Sequence, residues 1–455
     1  MKPFIFNRIP QSTRGEMLIV AMLISAIIAI SLGTLMNLSI TSLRLADRTF
    51  YSNAAMNLVE MGVEEAMWSF QDDITSGSGW VAWDTSTGTV AKVQYGTFGF
   101  SGGVTGVTKV YVTDYTGLSL TPVIISRALI TLPTGAPIEK WIEITLLRRS
   151  KFELGIVAKG SITFSGTNAS VDSWESDPGN DGIGIVPYSG SVATDSGSIG
   201  SISVSSTISV NNADIWGTAA TGAASAAAIG VGPNGVIGPY GTAAGTKDAG
   251  SVSTDFTANL VTVTSPTGGT VISAIGTTTA LGSGTYRIPS VTLAGSDSLA
   301  ITGNVIIVIT AASGTTGISL TGNANITLAS GATLKIYAES NLSFSGKGVI
   351  NPNTQPSSVQ IWGTSTNATP QTIALSGNGS LSAITYAPNG NVSINGNGEV
   401  YGSVIANEVN VTGNANFHYD KTLRYLNTGD PYGITKWREL TSAADRAAYS
   451  ALMNS

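Results

Sequence analysis

The chain has no cysteine in 455 residues, a single histidine, and few charges: Lys, Arg, Asp and Glu together make up 11%. Each scarcity excludes something. Without cysteine, no disulfide can hold an exported domain, so a large core must do it. His418, alone and with no thiol beside it, cannot build a zinc site; it reads as a structural hydrogen-bonding group. Low charge beside 42% apolar residues argues for extended sheet and against disorder, which needs high charge and low hydrophobicity. The net charge of −6 removes the basic stripe that nucleic-acid binding depends on. No cofactor is implied: no glycine-rich phosphate loop with its lysine occurs, and Gly396-Asn397-Gly398 reads as corner chemistry.

Carboxylates are also too dispersed for catalysis. Parallel β-helices can carry polysaccharide lyases and hydrolases, but such sites gather several carboxylates, or carboxylates with a strong base, on one face. From Phe152 to Asp420 there are 14 Asp or Glu and 5 Lys or Arg, mostly single, so no enzyme is expected. The densest acidic group, Asp172, Glu175, Asp177 and Asp181 with Asn180, offers the hard oxygens calcium prefers. It lacks the spacing of an EF-hand loop and reads as a polar turn, with calcium the weaker alternative and no other metal expected.

What the chain does have is a run of 27 uncharged residues, 17 to 43, directly after the basic leader MKPFIFNRIPQSTRGE. Its apolar part, Met17 to Met36, is about the ~20 residues that cross a bilayer as a helix. Lys2, Arg8 and Arg14 favour keeping the leader in the cytoplasm and sending the rest across. From Asn37 to Phe70 there is no proline, and Leu43, Ala46, Phe50, Ala54, Leu58, Met61 and Trp68 recur at helical spacing. One helix is therefore predicted from about Met17 to Phe70, roughly 80 Å at ~1.5 Å per residue.

The leader ending in Gly15, the apolar run, and FYSNAAMNLVEMGVEEAMW at 50 to 68 together resemble the amino-terminal segment of type IV pilin-like proteins of the PilX class. The resemblance implies cleavage by a prepilin peptidase between Gly15 and Glu16. It also implies a helix that serves first as inner-membrane anchor and then as filament core. Its packing residues would be Leu18, Ile19, Val20, Leu23, Ile27, Ile28 and Leu32. Two departures stand out. Most pilins carry a glutamate at the fifth mature position, where this chain has Val20, and the first mature position, usually apolar or small, is Glu16. The missing glutamate weakens a main-fibre role, and some tip pseudopilins and PilX-type minor pilins share it.

Between Trp80 and Arg149 the pattern changes to alternation, as in TKVYVTDY and IEKWIEITLL, which reads as a small antiparallel sheet. Pilin-like proteins set such a sheet against the outer half of the helix. From about Phe152 a unit recurs of alternating apolar residues followed by Ser or Thr, Gly and usually Asn: ITFSGT at 162, LAITGN at 299, ISLTGN at 318, VNVTGN at 409. The glycines Gly303, Gly322, Gly346, Gly377, Gly396 and Gly413 are 19, 24, 31, 19 and 17 apart. Those intervals suit successive coils of a parallel β-solenoid, with an insertion near Gln355 to Thr369. Roughly a dozen coils at ~4.8 Å each would give a rod on the order of 60 Å. A Gly/Ser/Thr-rich antiparallel sandwich is the competing reading, on the Asn-Gly signals Asn378-Gly379 and Asn389-Gly390. The recurring corner favours the solenoid.

VDSWESDPG at 171 to 179 and the stretch 384 to 423, with Tyr386-Ala387-Pro388-Asn389, Tyr401-Gly402 and His418-Tyr419-Asp420, resemble a glycine-rich β-helical domain that commonly follows PilX-type amino termini in bacterial surface proteins. That resemblance brings no enzymatic activity. The expected fold is thus α+β: a leader at 1–15, a transmembrane and amphipathic helix at 16–70, and a small antiparallel sheet at 71–150. A right-handed parallel β-solenoid at 151–425 and a C-terminal helical cap at 426–455 follow, the cap resting on Trp437, Leu440, Ala444, Ala447 and Ala451. The expected role is a structural minor or tip subunit of a type IV pilus or type II secretion-like pseudopilus. It would sit in the inner membrane before assembly and on the cell surface after it. Its partners would be other pilin or pseudopilin subunits, the prepilin peptidase and inner-membrane lipid. The alternative is an unprocessed, membrane-anchored adhesin whose Thr, Ser and Asn ladders contact surface carbohydrate.

Overall fold

The computed structural model describes residues 12–116, 121–148, 150–352, 354–367, 369–377, 380–426 and 432–454. The chain forms two units, Met1–Arg148 with Pro431–Ser455, and Arg149–Asp430.

In the first unit, helix α1 (Ser12–Ser76) runs 65 residues without a break. Strands β1 (Val90–Gly99), β2 (Thr105–Thr113), β3 (Val123–Thr131) and β4 (Ile138–Arg148) form an antiparallel meander. The second half of α1 packs on one face of this sheet. Ala55, Leu58, Val59, Val63, Ala66 and Phe70 are buried there with Val110, Ile124, Ala128, Ile130, Ile142 and Ile144. Phe70, Trp80, Trp83 and Tyr115 stack edge to face at the end of the helix, with centroids 4.8 to 5.4 Å apart.

The buried stripe matches the suggested one only in part: Leu58 is buried and Trp68 faces solvent, while Leu43 and Phe50 lie in the forward stretch that is exposed all round. Over the packed stretch the close approach is at Gly62. A Cβ there would lie 2.5 Å from Ser126 Oγ and 2.7 Å from Val110 Cγ2, so the helix approaches the sheet most closely along the Gly62 line, and flanking small residues follow it inward.

The C-terminal segment corrects the expected helical cap. Tyr432–Glu439 is a strand that pairs antiparallel with β4 and completes a five-stranded sheet. Only Ala443–Asn454 is helical (α2). Leu440 and Met453 are buried against Tyr111, Ile125 and Trp141, so 432–454 belongs to the first unit. Trp437 and Ile434 are exposed, and a register shift between Ile434 and Lys436 interrupts the alternation that would mark a strand.

The second unit is one parallel sheet wound on itself. Strand Val291–Leu293 pairs with Thr316–Leu320, which pairs with Asn341–Phe344, then Gln371–Gly377, and each successive partner lies one turn further on. From Thr279 to Ile350 every strand pairs with the third strand after it, so a turn has three sides. Residues at alternate positions point inward, and the ladder Val291, Ile318, Leu342, Ile373, Val392, Val409 is buried throughout. This rules out the antiparallel sandwich. Asn389-Gly390 lies inside the long strand Ser380–Gly396, while Asn378-Gly379 lies outside the described residues. The repeated glycines do share a corner: Gly377 pairs with Gly396 and Gly396 with Gly413, and a Cβ on Gly346 (φ 72°) would strike the carbonyl of Gly322. Gly303 sits at a different corner, beside Ser283.

The turns do not stack in sequence order. The last turn, Glu399–Asp420, pairs on one side with Ser380–Gly396 and on the other with the first, Ile156–Trp174. The first turn then pairs with strands from 197 to 221. The ladder therefore continues from Val409 to Ile162, Ile208 and Ile229. Ile275 bridges parallel to Val291 at the other end, so the ladder has ten levels among the described residues, roughly 45 Å at ~4.8 Å each and shorter than a dozen consecutive coils would be.

Residues 254–269 carry the chain back along the outside between the two ends. Phe256 N–H donates to Thr221 O (2.9 Å), Val261 O accepts from the Tyr386 hydroxyl (2.7 Å), and Pro266 O accepts from Arg287 (3.4 Å).

Candidate functional site

Two regions of the chain carry more than a folding role. The first is the forward half of α1. Every described residue from Met17 to Phe50 is exposed, and Leu18, Ile19, Val20, Leu23, Ile27, Ile28 and Leu32 stand 55 to 65% open. By length and composition the helix can cross a membrane. An open apolar surface this long is not stable in water and marks a face made for lipid or for another protein. Ser25, Thr34, Thr41 and Thr49 donate their hydroxyls to carbonyls three or four residues back, so these four hydroxyls are satisfied within the helix. Gly15 and Glu16 fall in the first turns of α1; the Glu16 side chain and the leader residues Lys2 and Arg8 lie outside the described set.

The second region is the seam where the last turn of the coil meets the first. The register His418↔Asp172, Tyr419↔Ser173, Asp420↔Trp174 brings together the two stretches singled out in the sequence. His418 Nδ1 faces Asp172 Oδ1 at 2.5 Å, and the Tyr188 hydroxyl donates to Asp172 Oδ2 at 2.6 Å. The imidazole packs against both Tyr188 and Tyr401, with centroids 3.8 and 4.9 Å away, and the two tyrosine rings are 5.4 Å from each other. Burial, then the bond to Asp172, pushes the Tyr188 hydroxyl far above its ordinary value, so it stays a donor. At the end of the same strand pair, Ser176 donates its backbone N–H and its hydroxyl to Asp420 at 3.0 and 2.6 Å. Burial raises the Asp420 carboxyl above its usual range although these bonds pull the other way.

The acids weighed for calcium are spent on this framework. Asp177 accepts the Gly182 N–H (2.8 Å), Asp181 that of Ile183 (2.9 Å), and Glu175 faces Lys421 at 3.9 Å. Among the described residues no three acids or histidines converge as metal ligands. Tyr188 escaped the sequence reading because its place at the seam depends on pairing across more than two hundred residues. Asp172 and His418 were both visible, but not as neighbours.

A groove of about 430 Å³ opens elsewhere on the coil, lined by Tyr337, Trp362, Gln360, Lys335, Lys151 and Val261. The Tyr337 and Trp362 rings are parallel within 12°. Trp362 Nε1 donates to Gln360 Oε1 at 3.2 Å.

Residues 242–426 match a family described only as a domain of unknown function (DUF7305), less than half of the chain. No curated protein matches the sequence. Among solved structures, an ice-binding protein from the Antarctic ascomycete Antarctomyces psychrotrophicus is 11% identical with a TM-score of 0.27, over 59% of this chain and 97% of that one. The competence-associated pilin ComZ from Thermus thermophilus is 11% identical with a TM-score of 0.21, over 76% of this chain and 87% of that one. At such identities and scores neither likeness says what the chain does.

Proposed function

We propose that the chain is a pilin-type subunit that is held in the inner membrane by α1, cut between Gly15 and Glu16, and drawn into a filament through the exposed half of that helix. One observation carries the reading: a single helix whose outer half is packed on an antiparallel sheet and whose forward half has no partner of its own. Such a helix can exchange lipid for sister helices without unfolding the body it carries. Leu18, Ile19, Val20, Leu23, Ile27, Ile28 and Leu32 make those contacts. Val20 supplies no carboxylate to neutralise a neighbour's amino terminus, which supports a minor or tip position in a pilus or pseudopilus of the PilX class. The coil, right-handed in this reading, is a displayed structural body and does no catalysis.

Amino-terminal sequencing of the protein from cells with and without the prepilin peptidase tests this. A start at Glu16 only when the peptidase is present supports the reading; an intact Met1 in both strains refutes it. The groove at Tyr337 and Trp362 favours a second reading, an anchored module whose coil touches surface carbohydrate. A Gly15→Asp substitution separates the two: it blocks maturation and filament incorporation in the first reading and leaves carbohydrate binding by whole cells intact in the second.

A further inference from the structure

Where the apolar run of α1 ends, a cavity of about 420 Å³ opens within the first unit. Its wall on the helix is Arg44, Asp47, Arg48 and Tyr51, which at these spacings share one face. Two loop tips close it, at Gly102 and Gly135, both with positive φ (74° and 99°), so no side chain projects there from either loop apex. The Tyr51 hydroxyl donates to Ser101 O at 3.4 Å and ties the helix to the first loop. Arg44, Asp47 and Arg48 are exposed, and none forms an ion pair among the described residues.

The depth of the cavity follows from the membrane-spanning reading, on which this inference rests. Residues 17 to 43 carry no charge and rise ~40 Å at ~1.5 Å each. A bilayer with its headgroups is ≈ 40–45 Å thick, so Arg44, the first charge beyond the run, emerges among the far headgroups. Two guanidiniums four residues apart present the forked donors that phosphate oxygens accept. Asp47, on the same face, is out of place in a purely anionic site. It is well placed for a ligand with a cation next to its phosphate.

We propose that this cavity holds the headgroup of a phospholipid carrying an ammonium beside its phosphate, the phosphate between Arg44 and Arg48 and the ammonium on Asp47. Bound there, the lipid fixes the depth of the helix until the subunit leaves the bilayer.

Native mass spectrometry of the full chain in detergent tests this, with phosphatidylethanolamine, phosphatidylglycerol or inorganic phosphate added. The expected result is one retained phosphatidylethanolamine, with retention falling roughly tenfold in the Arg44→Gln/Arg48→Gln double variant. Asp47→Asn should erase the preference for ethanolamine over glycerol headgroups while keeping the phosphate contact. Equal retention by the double variant overturns the site, as does wild-type protein that holds phosphatidylglycerol equally well. Displacement of the lipid by inorganic phosphate at equal concentration would make it an anion site and not a lipid site. Circular dichroism of each variant checks that α1 is intact. The measurement needs neither cleavage nor a filament, so an intact Met1 in both strains would sink the assembly reading and leave this result standing.

Discussion

Ile162 in the coil and Ile27 in α1 are the same side chain in opposite circumstances. The first is closed in by the turns on either side of it, at 0% exposure; the second stands 60% open on a helix that buries apolar residues only further along. The coil is complete within one chain, since its ladder of Ile, Val, Leu and Phe seals itself turn by turn and the turns that are first and last in sequence meet at a bonded seam. The first unit completes only half of its helix. The difference teaches where the molecule keeps its unmet need for burial: in the forward half of α1, whose solvent must come from outside the chain.

The sharpest way to break the comparison is to place a carboxylate at each isoleucine. Ile162→Asp buries an unpaired charge between two turns and should destabilise the coil by about 4–5 kcal/mol or more, enough to unfold it. Ile27→Asp should leave the coil untouched and act only on membrane insertion, where a carboxylate at the helix centre costs ≈ 2.5–3.5 kcal/mol. Hydrogen exchange read peptide by peptide, alongside membrane fractionation of the full chain, separates the two. Lost protection in the coil of the Ile27 variant would show that the units are not independent.

Gly62→Leu sharpens the comparison inside α1. A side chain there collides with Ser126 and Val110 and should cost about 1–3 kcal/mol by forcing the helix off the sheet. The same change at Gly33, which has nothing within 4 Å, should not lower stability. If both variants exchange alike over β2 and β3, the close approach at Gly62 is not what sets the packing.

An effect of similar size is expected at the seam. His418→Ala leaves Asp172 with Tyr188 as its side-chain donor and should cost about 1–3 kcal/mol. It should show as faster exchange in 156–174 and 399–420 together, because those turns are neighbours only through this seam. Faster exchange in 399–420 alone would argue against the pairing of first and last turns.

These contrasts mark what could be read from the chain. The charge-free run, the alternation of the small sheet and the Gly322 to Gly413 corners were legible because each is a local period, and a period survives without knowledge of the fold. The stacking order of the turns was not, since Val409 against Ile162 looks the same in sequence as Val409 against any other strand with the right alternation. The same holds for the strand at 432–439, whose place beside β4 is a non-local pairing that helical spacing masked. Of the candidate sites, the exposed apolar face of α1 was visible because it is contiguous. The seam was not, because Asp172, Tyr188 and His418 are brought together only by the returning chain.

The least of the expected effects concerns pH and has opposite sign in the two units. In the first unit burial works to raise the Glu143 carboxyl. Hydrogen bonds from Arg438 (2.7 Å), Tyr449 (2.8 Å) and Lys436 (3.2 Å) outweigh it and hold the group below its ordinary 4.5. The stability this contributes is present above the ordinary value and is lost as pH falls through the lowered one, when the native state must take up a proton it disfavours. In the coil, Asp420 is raised above its ordinary 3.8 by burial, against the bonds from Ser176 and Thr422. Here the native state binds the proton more readily than the unfolded chain, so the coil gains stability as pH falls from the raised value towards the ordinary one. Peptide-resolved exchange across an acid titration should therefore show protection falling in β4 and the C-terminal strand where it rises at the seam. Glu143→Gln should flatten the first slope and Asp420→Asn the second. Parallel slopes in both units, unchanged by either substitution, would mean that neither carboxyl governs its unit's response to acid.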